Sequence, residues 1–258
     1  MSDAAVSPAP FGVLMRQCRQ RRRLSQLDLA IEANVSSRHV SFIETGRSAP
    51  SRAMVVRLAE VLEVPLRERN QLLLAAGMAP LYAERSLDDR EMAAVKEGVE
   101  QVLSAYDPFP CLAVNRTWDI VAANIAATEL ISGVADHLLR EPNALRASLH
   151  PDGLAPRIRN LAQWRHHVIG RLRREVAVTG SNALAELLAE VEAYPGGDEE
   201  THVLGGVAIP LELHGPDGSV LTFLNTITTF GTALELTASE LRIEAFLPAD
   251  AATAAALR

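Results

Sequence analysis

Lysine is almost absent: Lys96 stands alone among 258 residues that otherwise draw their positive charge from arginine. That bias is a mark of GC-rich coding rather than of mechanism. Cysteine is nearly as scarce. Cys18 and Cys111 lie far apart and in no metal-ligand spacing, which excludes a disulfide framework and a cysteine-based zinc site. Both sit among apolar neighbours and read as buried free thiols, so the expected compartment is reducing and cytoplasmic. No run of 18 apolar residues exists, so no helical membrane span is expected. Residues 1–10 lack the basic start and apolar middle of a signal peptide and read as a disordered tail. Catalytic signatures are missing too. There is no phosphate-cradling glycine loop, no His-Glu-x-x-His, no Gly-x-Ser-x-Gly and no Cys-x-x-Cys. The adjacent His166 and His167 point in different directions on a helix, and His150-Pro151-Asp152-Gly153 reads as a turn. The expectation is a protein that is not an enzyme, needs no cofactor and holds no metal.

What is present is a charge divided along the chain. The net charge is −7, which by itself argues against nucleic acid. From Met1 to Ala76, however, 11 arginines face 7 acidic residues, while Gly77 to Arg258 carries 14 basic and 25 acidic ones. A basic head on an acidic body suits a DNA-reading module joined to one that leaves DNA alone.

The head reads as five short helices over residues 11–80. Phe11, Leu14, Met15 and Cys18 make an apolar stripe on the first. Ser25 caps the second, with Asp28 in its first turn. Leu27, Ala30 and Ile31 are taken as that helix's inward face. Asn34 breaks the pattern and Val35 fills the turn. A third helix runs from after Ser36 to about Thr45, with Val40 and Ile43 inward and Gly46 as its stop. Ser51 and Pro65 open two more, the last closed by Gly77. Two helices joined by so short a turn cross steeply, and the outer face of the second fits a major groove. On that face stand Ser37, Arg38, Ser41 and Phe42, expected to read bases. Arg38 suits guanine O6 and N7. Gln26, Arg47 and Arg22, the last within the basic run Arg19 to Arg23, are the expected phosphate contacts.

Leu24-Ser25-Gln26 and Ile43-Glu44-Thr45-Gly46-Arg47, followed by Pro50-Ser51, resemble the opening and close of the XRE-type, lambda-repressor-like helix-turn-helix domain. The family's usual turn glycine is Asn34 here, a residue that tolerates the left-handed conformation.

Behind the head, residues 81–106 read as a connecting helix (Met92, Val95, Val99, Val102, Leu103). Residues 107–258 alternate short apolar runs with longer amphipathic ones. Cys111–Val114 and Ile120–Ala123 read as one hairpin, Val207–Leu213 and Val220–Phe230 as another, and Leu161–Val176 and Asn182–Ala193 as helices. The stretch Thr237–Phe246 is open between strand and helix. The expected class is a multidomain chain, all-α then α+β. The runs Phe109–Asn124, His150–Gly153, Asn160–Trp164 and Phe230–Asp250 resemble the MmyB-like ligand-binding domain of actinobacterial and related regulators. The resemblance implies a PAS-like curved antiparallel sheet with helices over one face, enclosing a pocket. A shell rich in Leu, Val, Ala and Ile suits an apolar small-molecule effector such as a long-chain fatty acid, gaining about 0.8 kcal/mol per buried methylene. Trp164, Arg159, Arg165, His166, His167 and Asn124 are the candidate pocket residues, while Asn225, Thr226 and Thr228 read first as hairpin pairs. Taken together these readings imply a cytoplasmic, nucleoid-associated regulator. It binds a double-stranded operator as a homodimer and stays off the membrane. The alternative is a body that serves only dimerisation or protein contact.

Overall fold

The computed structural model describes residues 10–197, 209–215, 218–230 and 235–257. Most of the expected N-terminal tail, the beginning of the expected strand at Val207 and the turn residues Pro216 and Asp217 lie outside them. The chain divides into two compact units, Met1–Arg85 with Thr232–Ser239, and Ser86–Gly231 with Glu240–Arg258.

The first unit contains α1 (Phe11–Arg21), α2 (Gln26–Glu32), α3 (Ser37–Glu44), α4 (Arg52–Val61) and α5 (Leu66–Ala75). Local chemistry sets the boundaries. Ser25 and Asp28 form a capping box, each side chain accepting the other's backbone N–H, which fixes the start of α2. Ser36 and Ser51 cap α3 and α4 through the third N–H along. Asn34 takes φ +50° in the α2–α3 turn and Gly46 takes φ +72° after α3, as their residue types allow. Met15, Leu29, Ile43, Leu58, Leu72 and Leu73 are fully buried, so every helix donates to one core. The inward face of α2 differs from expectation. Leu29, Ala30 and, just past its end, Ala33 are buried, whereas Leu27 and Ile31 are 58% and 68% exposed. With only seven residues, α2 has one inward strip, and the cap at Ser25 phases it one step from the Leu27–Ile31 pairing.

The second unit opens with a 3-10 turn (Arg90–Met92) leading into α6 (Ala93–Ala105). Then follow β1 (Cys111–Val114), β2 (Ile120–Ala123), α7 (Ile125–Leu130), α8 (Asp136–Leu139), α9 (Ala144–Leu149), α10 (Leu161–Thr179) and α11 (Asn182–Ala193). The chain ends through β3 (Leu211–His214), β4 (Val220–Thr229), α12 (Leu236–Glu240), β5 (Arg242–Pro248) and α13 (Ala251–Ala256). The ambiguous stretch Thr237–Phe246 therefore resolves as the end of a short helix and then a strand. The five strands form one antiparallel sheet in the order β2-β1-β5-β4-β3, with the last strand central.

Helices pack on both faces of this sheet, while Leu224 and Thr226 to Thr229 of β4 stay exposed. Leu112 and Val114 of β1 join Leu211, Leu213 and Phe223 against α10 and α11 on one face. Cys111 and Ala113 alternate to the other face, where they meet Ile243, Ala245 and the Val99 and Leu103 of α6. The expectation of helices over one face is thus corrected. Residues 93–105, read as a connector, form an integral layer of the second unit, because their apolar stripe is buried against the sheet.

Candidate functional site

The outer face of α3 carries the residues expected to read DNA. Ser37 and Arg38 are exposed, Ser41 and Phe42 half-buried, and Arg47 is exposed just beyond the helix. Arg38 and Arg47 both lie over the Phe42 ring, 5.0 and 5.9 Å from its centroid. The ring thus holds two guanidinium groups on one surface by cation–π attraction. Beneath it the Glu44 side chain is closed to solvent. It accepts from Arg19 at 2.6 and 3.0 Å, from Gln26 at 2.8 Å and from Arg16 at 3.4 Å. Burial alone would raise this carboxyl, but Arg19, Gln26 and Arg16 together hold it below the usual carboxylate range. One carboxylate thereby ties α1, α2 and α3 and sets the angle at which α3 is presented.

Two expected phosphate contacts have intramolecular partners. The Gln26 amide is turned toward Glu44, and Arg22 makes a bidentate pair with Glu63 at 2.7 and 2.9 Å. The Arg22 pair is exposed and of the kind worth little, so exchange for a phosphate is inexpensive. The basic run at the end of α1 is less a solvated face than a set of tethers. Arg19 also donates to the Leu24 carbonyl, and Arg21 reaches Glu68 and the Cys18 sulfur.

In the second unit a cavity of about 70 Å³ lies between the sheet and α7, α9 and α10. Its walls are apolar, with Leu112, Ile120, Leu145, Leu154, Val168 and Phe246 among them, and both tryptophans of the chain line it. One end is polar, built from His167 and Arg171 of α10, Asn225 of β4 and Glu244 of β5. Glu244 is buried and accepts from Arg171 and Asn225, each at 2.9 Å. Arg171 and Arg242 lie 4.3 and 4.4 Å from the Trp118 ring centroid. Glu175 closes the network, accepting from Arg242 at 2.6 Å and from the Trp118 indole at 3.1 Å, with Arg171 at 3.4 Å. Burial and the neighbouring Arg171 and Arg174 push the His167 imidazole pKa down, which favours its neutral form. An open groove of about 750 Å³ shares Pro110 and Leu130 with the cavity and runs past Ile125, Leu221 and Leu257.

Of the six candidate pocket residues, Trp164 and His167 line the cavity. Arg165 is buried elsewhere, donating to the Glu192 and Gly197 carbonyls and so fastening α10 to the end of α11. Arg159 is exposed and 3.6 Å from Glu212, and His166 points to solvent. Asn124 is a structural knot: it caps α7, accepts from the Cys111 N–H and donates to Asp107 and the Phe109 carbonyl. Asn225 belongs to the cavity rather than only to a hairpin pair. Sequence reasoning missed Trp118, Arg171 and Glu244. For α10 the signal was there: Trp164, His167, Val168, Arg171 and Glu175 follow at i, i+3, i+4, i+7 and i+11, one face of a helix.

Comparison with known proteins identifies both parts of the chain. The family described as helix-turn-helix domain matches residues 10–72, and that described as MmyB-like transcription regulator ligand binding domain matches residues 95–258. A relative from Bacillus subtilis (strain 168), described as the uncharacterized HTH-type transcriptional regulator RghRB, is 34% identical over 99 residues. That alignment covers 38% of this chain and 65% of the relative, a little under two thirds of its length. A solved RNA-binding light-oxygen-voltage receptor aligns over 92% of this chain and 57% of its own at 15% identity and a TM-score of 0.27, too distant to bear on the fold. The chain belongs to the MmyB-like transcription regulators, with a helix-turn-helix domain ahead of the ligand-binding domain.

Proposed function

We propose that this regulator is a cytoplasmic, nucleoid-associated homodimer that reads a pseudo-palindromic operator through α3 and answers to an apolar small molecule held in the second unit. Two heads on successive major grooves would require half-sites one helical turn apart. Arg38, Ser37, Ser41 and Phe42 face the bases, and Arg47, Arg22 and Gln26 the phosphates, Gln26 with whatever hydrogen-bonding capacity Glu44 leaves it.

The observation that carries the ligand reading is the cavity itself, apolar on its walls with a few polar groups gathered at one end, the usual composition of a ligand site. A space of about 70 Å³ takes a head group and the first carbons of a chain. The remainder of a long-chain fatty acid would run past Pro110 and Leu130 into the open groove. The head-group chemistry follows from charge. Arg171 and Arg242 are already balanced by Glu175 and Glu244, so an entering carboxylate adds one uncompensated negative charge. It is accommodated by taking up a proton, on the acid itself or on His167. Fatty-acid binding should therefore tighten as pH falls from 8 to 6, while binding of the matching alcohol should not.

Because Trp118 and Trp164 are the only tryptophans and both line the cavity, intrinsic fluorescence is a direct titration signal. Decanoate and decanol titrated into the whole chain should each shift the emission, with a pH dependence for the acid only. Native mass spectrometry should show the adduct as one discrete added mass per protomer. Unchanged emission and no added mass with either compound would favour a body that only dimerises or binds protein.

A further inference from the structure

A second cluster of chemically capable side chains lies outside the cavity. His137 on α8 and His150 and Asp152 on the turn after α9 each bring one ligand atom to within 4.8 Å of the others. We propose that these three residues form a binding site for a divalent ion of the zinc class, taken up by two imidazoles and one carboxylate.

The donor set points to that class. Imidazole with carboxylate suits zinc, cobalt and nickel, whereas magnesium and calcium prefer oxygen alone. Around zinc, ligand atoms at about 2.0–2.1 Å in a tetrahedron stand about 3.4 Å apart. The cluster must then contract by at most about 1.4 Å, within reach of the exposed His137 and Asp152 side chains on a fixed backbone. Three protein ligands leave one position for water.

The backbone is fixed by close packing. Gly153 approaches so tightly that a side-chain carbon there would fall 2.4 Å from the Ala147 carbonyl oxygen. Leu154 N–H closes the loop on that same oxygen at 2.8 Å, and Gly153 N–H donates to His150 at 2.8 Å. Across the gap, Ala135, the residue before α8, donates to the Asp152 carbonyl at 3.0 Å. Both halves of the cluster are therefore pinned to each other without help from an ion. The His150 ring is held as well, standing edge-on to Tyr194 with centroids 4.9 Å apart. The Tyr194 hydroxyl in turn donates to Glu190, which Arg146 holds by bidentate bonds. The His150 Nδ1 accepts the Asp152 N–H at 3.0 Å. An ion on Nδ1 would take that lone pair, and an ion on Nε2 would move the ring proton onto Nδ1, so in either case the Asp152 N–H turns to water. The imidazoles are 13 positions apart, in no metal-ligand spacing, and meet only because α8 folds back beside α9.

The test uses the full chain, stripped of metal and titrated with zinc chloride by calorimetry and with cobalt chloride by visible absorption. One ion per protomer is expected, with His137→Ala and Asp152→Asn each weakening binding by about tenfold or more. Both substitutions are at exposed positions, and an unchanged circular dichroism spectrum certifies the fold. His166→Ala should leave affinity as it was. The cobalt spectrum should lose its bands on acidification, because ligation needs unprotonated imidazole. The proposal fails if stripped protein takes up neither ion, or if His166→Ala abolishes uptake while His137→Ala and Asp152→Asn do not.

Discussion

Glu44 shows how one side chain can set the posture of a reading helix. Its carboxylate is sealed from solvent and satisfied by three donors from α1 and α2. Removing it strands Arg19 beside a vacated acceptor, the circumstance in which breaking a buried ion pair costs about 3 kcal/mol or more. Glu44→Ala should thus lower the melting temperature of the first unit by about 12 °C or more, at about 4 °C per kcal/mol for so small a domain. The sign of the pH dependence follows from the depressed pKa. A carboxyl lower in the folded than in the unfolded state stabilises above its ordinary range and loses that contribution as pH falls through it. Urea midpoints for the natural chain should drop on acidification below about pH 4 by more than those of Glu44→Gln. Equal slopes would show that the carboxylate carries no such linkage. On the opposite side of α3, Arg38 and Arg47 share one aromatic ring, and the proposed function gives them different tasks. Arg38→Ala should cost about 1–3 kcal/mol on the specific duplex and relax base preference, as loss of a base contact does. Arg47→Ala should weaken all duplexes alike and reduce the salt slope by about one. Titrations at several salt concentrations on specific and random duplexes separate the two, and equal loss on both duplexes for Arg38→Ala would reassign it to phosphate.

At the scale of elements, α1 can cross α3 closely only because position 12 lacks a side chain. A carbon added there would stand 2.5 Å from the Glu44 carbonyl oxygen and 2.7 Å from that of Ile43. Alanine within a helix gains up to about 1 kcal/mol over glycine, but overpacking against backbone costs about 1–3 kcal/mol. The clash wins, since backbone cannot swing away. Gly12→Ala should therefore lower thermal stability and DNA affinity together, measurable by calorimetry and gel shift; a rise in melting temperature would mean that α1 simply slides. Elements of this kind divide into those legible in sequence and those that were not. The caps at Ser25, Ser36 and Ser51, the stops at Gly46 and Gly77 and the length of α11 are local chemistry, and local chemistry is written in adjacent residues. The inward face of α2 was misread because seven residues give too little period to fix a phase. The pocket was half legible. Trp164 led correctly to α10, but its chain neighbours Arg165 and His166 project about 100° and 200° away from it. The residues that share its face are His167, Arg171 and Glu175. Glu244 and Trp118 reach the same place only through strand pairing and the packing of α10 on the sheet, which no short-range pattern encodes.

For the molecule as a whole, belonging to a family with a DNA-reading domain and a ligand-binding domain raises the matter of how one affects the other. A ligand alters operator affinity only by as much as it prefers one arrangement of the protein over another. That preference is a free energy shared by both sites, so the operator must alter ligand affinity by the same factor. Typical couplings of 1–3 kcal/mol correspond to roughly 5- to 150-fold. The two tryptophans make the reverse experiment practical, since their signal arises at the cavity and not in the DNA-reading helices. Decanoate titrated into free protein and into protein saturated with its selected duplex should yield two dissociation constants. Their ratio should equal the ratio of duplex affinities measured with and without saturating decanoate. A ratio of one in both directions would leave the cavity without a regulatory role, even if it binds the acid tightly. Unequal ratios would mean a third participant in the equilibrium, most simply a change in subunit association, and sedimentation at several protein concentrations would then reveal it as a ligand-dependent shift in mass.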